Sequence, residues 1–254
     1  MKRIFAITAL LALAILVGCS SGDKSETSVV DKKADTQLKA MSAALGGADR
    51  VGMDVEFSSA AGFPEVMEPG TVNGKLVLHR PNKAASLLTT EGKQRSFIYD
   101  GTTVTIVDLT GKGYAQVPAR ATIDETITML EEEYAYEPVL SDFLYSDLYT
   151  HFLEGIQEDK NQELKSVKYV GLEDIGGVKA HHLAFDEEYI DWDLWIAEGT
   201  SLPLQIDIVG AAMDGKPKMQ IDFLRVELNG TIDPKVFTFV PTDDLEKIPV
   251  AKPD

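Results

Sequence analysis

The chain has almost no cysteine: a single thiol, Cys19, in 254 residues. A disulfide framework is excluded, and if Cys19 is modified no thiolate remains for catalysis. Histidine is scarce, with four residues, and tryptophan scarcer, with two. Positive charge is also short, since 24 Lys and Arg face 41 Asp and Glu for a formal net charge of −17. A surface that acidic repels phosphate polymers and anionic headgroups, which excludes nucleic acid and argues against peripheral adhesion to lipid. No G-x-G-x-x-G, P-loop or H-E-x-x-H motif occurs, so nothing points to a nucleotide, a cofactor or a zinc protease site. No period of about 20 to 50 residues recurs, which excludes solenoids and propellers. Long apolar runs are missing except for Ile4 to Val17, too short to span a bilayer as a permanent helix.

That run follows Lys2 and Arg3, the layout of a secretory signal with a positive start and an apolar middle. The tetrad Leu16-Val17-Gly18-Cys19 resembles the bacterial lipobox, in which small residues let a peptidase cut before a cysteine that carries diacylglycerol on its sulfur. The expected organisation is therefore a signal peptide over residues 1–18, a lipidated tether over 19–31 beginning at Cys19, and one domain over 32–254. Acyl chains contributing about 0.8 kcal/mol per buried methylene would hold that domain at a membrane with no spanning helix. Ser20 stands where, in enteric lipoproteins, an aspartate marks retention in the inner membrane, so the expected location is the periplasmic side of the outer membrane. The alternative is an ordinary cleaved signal with an incidental cysteine. Gly18-Cys19-Ser20-Ser21-Gly22 fits the G-x-S-x-G pattern of a nucleophile elbow, but that motif needs a strand before it and a helix after it, and here it straddles a cleavage site.

Downstream, Ala34, Leu38, Met41 and Leu45 share one face of a helix over about Asp31 to Leu45, stopped by Gly46-Gly47. The period then shortens to two, and short strands separated by turns run from Met53 to Val117. Asp100-Gly101 marks a tight hairpin. Thr122 and Glu125 form a capping box for a helix carrying Ile123, Ile127, Leu130 and Tyr134. A further helix is expected from Ser141, with Leu144, Leu148 and Phe152 on one stripe. Strands resume at "SVKYVGLEDI", turn at Gly176-Gly177, continue through "KMQIDFLRVEL" and close with "KVFTFVP". Segregated runs of strands and helices argue an α+β fold with one large antiparallel sheet. A sheet of about ten strands covered by only two or three helices must curl around them.

The strings "FIYDGTTVTIVDL", "GYAQVPARATIDETI", "SDFLYSDLY", "VKAHHLAFD", "DWDLWIAEGTSLPLQ" and "FTFVP" together resemble a family of uncharacterised, predicted periplasmic bacterial proteins, similar in architecture to the LolA/LolB lipoprotein carriers. The resemblance runs from about Ala34 to Pro241. It implies an unclosed, LolA/LolB-like half-barrel with helices plugging the concave side and an apolar cavity that takes acyl chains. No segment matches the exposed apolar loop with which LolB enters the membrane, so a generic lipid-binding role transfers better than an acceptor role.

Several constellations suggest chemistry. His181 and His182 are neighbours on a strand and point to opposite faces, so they cannot chelate one ion together; no metal is expected. One is expected to be buried and bonded to backbone, the other half-exposed. Asp191 and Asp193 share a face with Trp195, opposite Trp192, Leu194 and Ile196. A glycosidase pair comes from separate strands flanking the substrate, whereas alternation on a half-solvated strand explains this pattern without chemistry. No enzyme activity and no cofactor is expected. The apolar alternations Leu76 and Leu78, Phe97, Val104 and Ile106, Leu204, Ile206 and Ile208, and Ile221 and Phe223 each place like residues on one face. They are core or, in part, the lining of a cavity for a hydrophobic ligand such as a lipid or lipoprotein acyl chains. The expectation is a lipid-anchored envelope protein that binds such a ligand for transport or sensing. The alternative is a membrane-tethered module that binds an envelope protein partner and no lipid.

Overall fold

The computed structural model describes residues 29–63, 68–157 and 164–250; Cys19, the signal peptide and most of the tether lie outside them. Helix α1 (Lys32–Gly46) is followed by strands β1 (Arg50–Ser59), β2 (Gly70–His79), β3 (Lys83–Thr90), β4 (Lys93–Tyr99), β5 (Thr103–Asp108) and β6 (Gly113–Pro118). Helix α2 (Ile123–Tyr134), a 3-10 turn (Ser141–Leu144) and helix α3 (Leu148–Gln157) come next. Strands β7 (Leu164–Ile175), β8 (Val178–Glu187), β9 (Asp191–Ala197), β10 (Pro203–Val209) and β11 (Lys218–Leu228) return to the sheet, and a 3-10 turn (Pro234–Phe237) precedes the two-residue β12 (Glu246–Lys247).

The described strands make one twelve-stranded sheet in the order β12-β6-β5-β4-β3-β2-β1-β11-β10-β9-β8-β7. Every pair is antiparallel except β12 with β6. The two edges do not meet, so the α+β fold expected from the sequence is present as an unclosed half-barrel. Its two halves, β1–β6 and β7–β11, join where β1 pairs with β11.

Local chemistry explains most elements. Asp31 caps α1 by accepting from Lys33 N at 2.7 Å. The capping box of α2 is complete, with Glu125 N donating to Thr122 Oγ1 at 3.2 Å and Thr122 N to Glu125 Oε2 at 3.2 Å. Gly176 and Gly177 take φ of 58° and 88°, which a two-residue primed hairpin requires and a side chain would strain. The Asp100 turn is built differently from a primed turn. Asp100 Oδ1 accepts from Thr102 N and Thr103 N, both at 2.8 Å, in a three-residue connection.

One expectation needs correction. The helix expected from Ser141 is broken: the 3-10 turn ends at Leu144, Tyr145 is extended at ψ 146°, and α3 starts only at Leu148. Asp147 caps the restart by accepting from Thr150 N at 3.0 Å. The "KVFTFVP" closing segment follows the turn that Asp233-Pro234 introduces, as a 3-10 turn and extended chain. Pro234 has no N–H for a ladder, Asp233 accepts from Lys235 N at 3.0 Å, and a single helical turn forms that buries Phe237. The sheet is closed off by β12.

Candidate functional site

The site predicted from the alternation is the concave face. Strand β1 shows how it is built: Val51, Met53, Val55 and Phe57 alternate with more exposed residues and are at most 9% exposed. Leu76 and Leu78, Phe97, Val104, Ile206 and Ile208, Ile221 and Phe223 lie on the same floor and are nearly all covered. Ile106, opposite Phe97 in the β4–β5 ladder, is half-buried against that cluster. Leu204 departs from its predicted place. Pro203 cannot donate to the ladder, the β9–β10 register slips between Pro203 and Gln205, and Leu204 is left half-exposed outside the core cluster.

The floor is covered by helices. Leu38, Met41 and Leu45 of α1, Ile123, Ile127 and Leu130 of α2, and Leu144, Leu148 and Leu153 beyond them belong to one cluster with it. An aromatic group ties α3 to the floor on the β8–β11 side. Phe143 meets Phe152 edge-on at 5.7 Å and Phe223 at 5.1 Å; Phe152 meets Trp192 at 5.7 Å, and Trp192 stacks on Phe185 at 3.5 Å.

Polar bonds hold the helices to one another. Tyr149 N donates to Ser42 Oγ at 3.0 Å and Tyr149 OH to Asp35, joining α3 to α1. That bond, with Lys39 beside it, holds the Asp35 carboxyl below its ordinary range. His151 meets Asp142 at 2.8 Å and stacks on Tyr145, whose hydroxyl lies 3.3 Å from Thr128 and from Glu131 of α2. Gly46 closes the corner: a Cβ there would stand 2.0 Å from Ser146 O.

Bonds between this plug and the sheet lie mainly at the rims. Arg80, at the end of β2, donates to Leu144 O at 3.0 Å and Tyr145 O at 3.1 Å, and Asp124 stands 3.9 Å away. Burial lowers the Arg80 pKa and the Asp124 charge opposes that shift. Ile123 N donates to Pro81 O at 2.8 Å, and on the far rim Asp31 N donates to Val167 O at 2.9 Å. Within the seam Tyr99, fully buried on β4, donates its hydroxyl to Arg120 O at 2.7 Å just ahead of α2, and the remaining cluster residues between plug and floor are apolar.

The convex face carries His182 and Asp193, two of the residues that suggested metal or acid–base chemistry. His181 and His182 do point to opposite faces, but both are half-buried and neither matches the expected backbone-bonded partner. His182 sits between two carboxylates, with Nδ1 2.9 Å from Glu173 Oε1 and Nε2 2.7 Å from Asp193 Oδ1, and stacks on Trp195 at 4.3 Å. Both ring nitrogens are thus committed to carboxylates. His181 Nδ1 meets Tyr169 OH at 3.0 Å on the other side. Among the described residues no group of three or more His, Cys, Asp or Glu is placed to hold a metal. Sequence reasoning found the histidine pair but missed Glu173, which lies across a hairpin and a strand from its partners.

The Trp195 indole N–H at 2.9 Å, then His182, hold the Glu173 carboxyl below its ordinary value of 4.5. A lowered carboxyl stabilises the fold above its unfolded pKa, and that stability is lost as pH falls through the folded value. Thermal melts should therefore show Glu173→Gln losing less stability than the parent chain as pH falls from 4.5 downward, while at neutral pH the variant is the weaker of the two. Parallel pH profiles would refute this.

An open depression of about 850 Å³ lies near the β1–β2 connection, lined by Ser58, Ser59, Thr71, Asp193, Asp207 and Lys218 among others. A smaller one of about 250 Å³ lies by Thr89–Gln94. Neither opens between the helices and the floor, and of the predicted lining residues only Ile208 borders the larger one. Asp207 faces Asp193 directly across the β9–β10 ladder. Its pKa is raised, first by burial, with Asp193 and Asp222 adding like charge.

These features define the class: an unclosed antiparallel half-barrel with a helical plug on its concave face. The chain belongs to the predicted periplasmic protein family DUF2092, whose model matches residues 34–251. Its structure is similar to an uncharacterised conserved protein of Thermus thermophilus, with TM-score 0.52 and 9% identity over 86% of this chain and 99% of that one. It is also similar to the lipoprotein LppX of Mycobacterium tuberculosis, with TM-score 0.46 and 12% identity over 80% of this chain and 99% of that one. A LolA superfamily protein of Nitrosomonas europaea aligns with TM-score 0.32 and 11% identity over 80% of this chain and 96% of that one. No curated protein matches significantly.

Proposed function

We propose that the chain is a lipid-anchored protein of the cell envelope, held by Cys19 at the periplasmic face of the outer membrane, that takes up a hydrophobic ligand between plug and floor. A lipid or the acyl chains of a lipoprotein fit this chemistry. The supporting observation is the seam itself: helices bonded to one another by polar side chains rest on a floor to which they are joined mainly by apolar contact, the described bonds to the sheet lying at the rims and at Tyr99, whose hydroxyl donates to Arg120 O at 2.7 Å. Apolar contact is non-directional, so an acyl chain can replace helix side chains against the floor on the β8–β11 side without breaking the Tyr99 bond. Each Å² of apolar surface kept from water then contributes about 25 cal/mol. The ligand enters as the plug shifts, and no catalytic step is involved. No described helix is long and apolar enough to cross a membrane, so the anchor carries the attachment.

The test is native mass spectrometry, with lipid extraction, of the full chain purified gently from membranes. A bound lipid at near-stoichiometric amount is expected. An empty protein that also fails to take up a fluorescent fatty acid would sink the proposal. The filled state of the interior in this structure favours one alternative, a membrane-tethered module that binds an envelope protein through its acidic surface. That alternative predicts an empty protein with a salt-sensitive partner.

A further inference from the structure

We infer that the β7 edge of the half-barrel is a docking surface for the anionic lipid surface to which the chain is tethered, so that the molecule stands on the membrane edge-on. The inference rests on the Cys19 anchor proposed above.

Position comes first. Val29–Asp31 are not free linker: Val30 bridges Val167 in parallel, Val167 N donates to Val29 O, and Asp31 N donates to Val167 O, both at 2.9 Å. Residues 19–28, the ten between the anchor and this clamp, reach at most about 35 Å when extended, and about 17 Å as a flexible chain. The opposite edge, β12, lies eleven strand spacings of about 4.8 Å away, roughly 50 Å along the sheet. The chain therefore leaves the domain for its anchor at the β7 edge, and β12 is the strand farthest from that exit along the sheet.

Chemistry comes second. The β7 edge gathers Lys32, Lys33, Lys165, Lys168 and Lys179, all exposed. Lys165 leans to Asp186 at 3.5 Å and Lys179 to Asp174 at 3.7 Å. Carboxylates share the edge: Asp186 and Asp174 offset Lys165 and Lys179, the Asp31 carboxylate caps α1, and the Glu173 carboxylate turns to Trp195 and His182 on the convex face. Lys32, Lys33 and Lys168 remain as the forward cations, with Lys33 over the Tyr169 ring at 5.2 Å. Beside them Val170 is 54%, Leu172 46% and Val178 45% exposed. Lysines and bulges alone serve to stop edge-to-edge pairing. Exposed valine and leucine on the same edge do the reverse, and need another cover. A lipid surface accepts both: cations at the headgroups, at about 1 kcal/mol each, and apolar side chains just below. The net charge of −17 argues against adhesion of the acidic surface at large, so contact with an anionic bilayer is confined to this lysine-bearing edge, held there by the anchor. Both α1 and α3 pack on β7, so the docked edge is also where the plug meets the sheet, on the side from which a lipid would arrive.

The experiment uses the acylated full chain, reconstituted in vesicles of phosphatidylglycerol and phosphatidylethanolamine carrying a headgroup nitroxide quencher. A thiol-reactive fluorophore is placed at Leu172→Cys, at Ile248→Cys beside β12, or at Leu224→Cys on β11. We expect quenching at position 172 at least about threefold stronger than at the other two, weakened by high salt and in phosphatidylcholine vesicles, as an electrostatic contact requires. Combining Lys32→Glu, Lys33→Glu and Lys168→Glu should abolish the difference while the chain stays on the vesicles. Acidic residues in the first turn of α1 suit its dipole, so the variant keeps the fold. Equal quenching at the three positions, or stronger quenching at 248, overturns the inference. Peptide mass spectrometry finding Cys19 unacylated overturns the anchor, and the orientation with it.

Discussion

Phe143→Ala is expected to destabilise the protein by about 3–5 kcal/mol, the range for removing a buried aromatic ring, or roughly 6–20 °C in Tm for a domain of this size. Phe143 is 3% exposed and touches both α3, through Phe152, and the floor, through Phe223. Its loss leaves a void in the aromatic group that joins plug to sheet on the β8–β11 side. The rim bonds of Arg80, Pro81 and Asp31 are untouched, so the variant should still fold with α1, α2 and α3 in place. If the seam takes an apolar guest, a loosened plug should bind a fluorescent fatty acid faster than the parent chain does. Lower stability with unchanged uptake would count against helix displacement as the entry step. Unchanged stability would show that Phe143 does not carry the contact.

Arg80→Met is expected to cost about 2–4 kcal/mol through a different mechanism, the loss of buried charged hydrogen bonds. The guanidinium is 12% exposed and spans two main-chain carbonyls, Leu144 O and Tyr145 O, at the break between the 3-10 turn and α3. Methionine fills the volume but donates nothing, leaving two acceptors unsatisfied and Asp124 without its cation. Asp124 also accepts from Ser146 N at 3.1 Å, so the damage should spread along the 145–148 connection. Arg80→Lys should recover only part of the loss, because an ammonium is a point donor and cannot match the fork that bridges two carbonyls. Hydrogen exchange is the discriminating measurement: faster exchange confined to the 3-10 turn and the start of α3 is expected, and a uniform change across the sheet would contradict it.

The elements whose causes are local were legible. The capping box at Thr122 and Glu125, the Gly176-Gly177 hairpin and the alternation of β1 and β11 involve residues within a few positions of one another, and all stand where the pattern placed them. Errors fell where a distant group decided. The helix expected from Ser141 breaks because Arg80, some sixty positions earlier, holds the Leu144 and Tyr145 carbonyls outside a helical ladder. The partner of His182 is a glutamate from the neighbouring strand of the hairpin and an aspartate from the strand beyond, and strand register across a turn and a bulge at Val170 is not written in either segment alone. Leu204 left the floor because one proline slipped a ladder by a residue.

By itself the sequence determined which side chains of each strand share a face, since successive residues on a pleated chain point to opposite sides, and it determined that there are too few helices to cover a flat sheet of this many strands. The tertiary structure decided how the trough is occupied. Whether an apolar floor is core or cavity depends on the volume of the side chains laid over it from α1, α2 and α3, and that sum is a property of the packed whole. It also decided which edge carries the pinned amino-terminal segment, because Val30 and Val167 are separated in the chain by α1, six strands and two helices and meet only in the folded molecule.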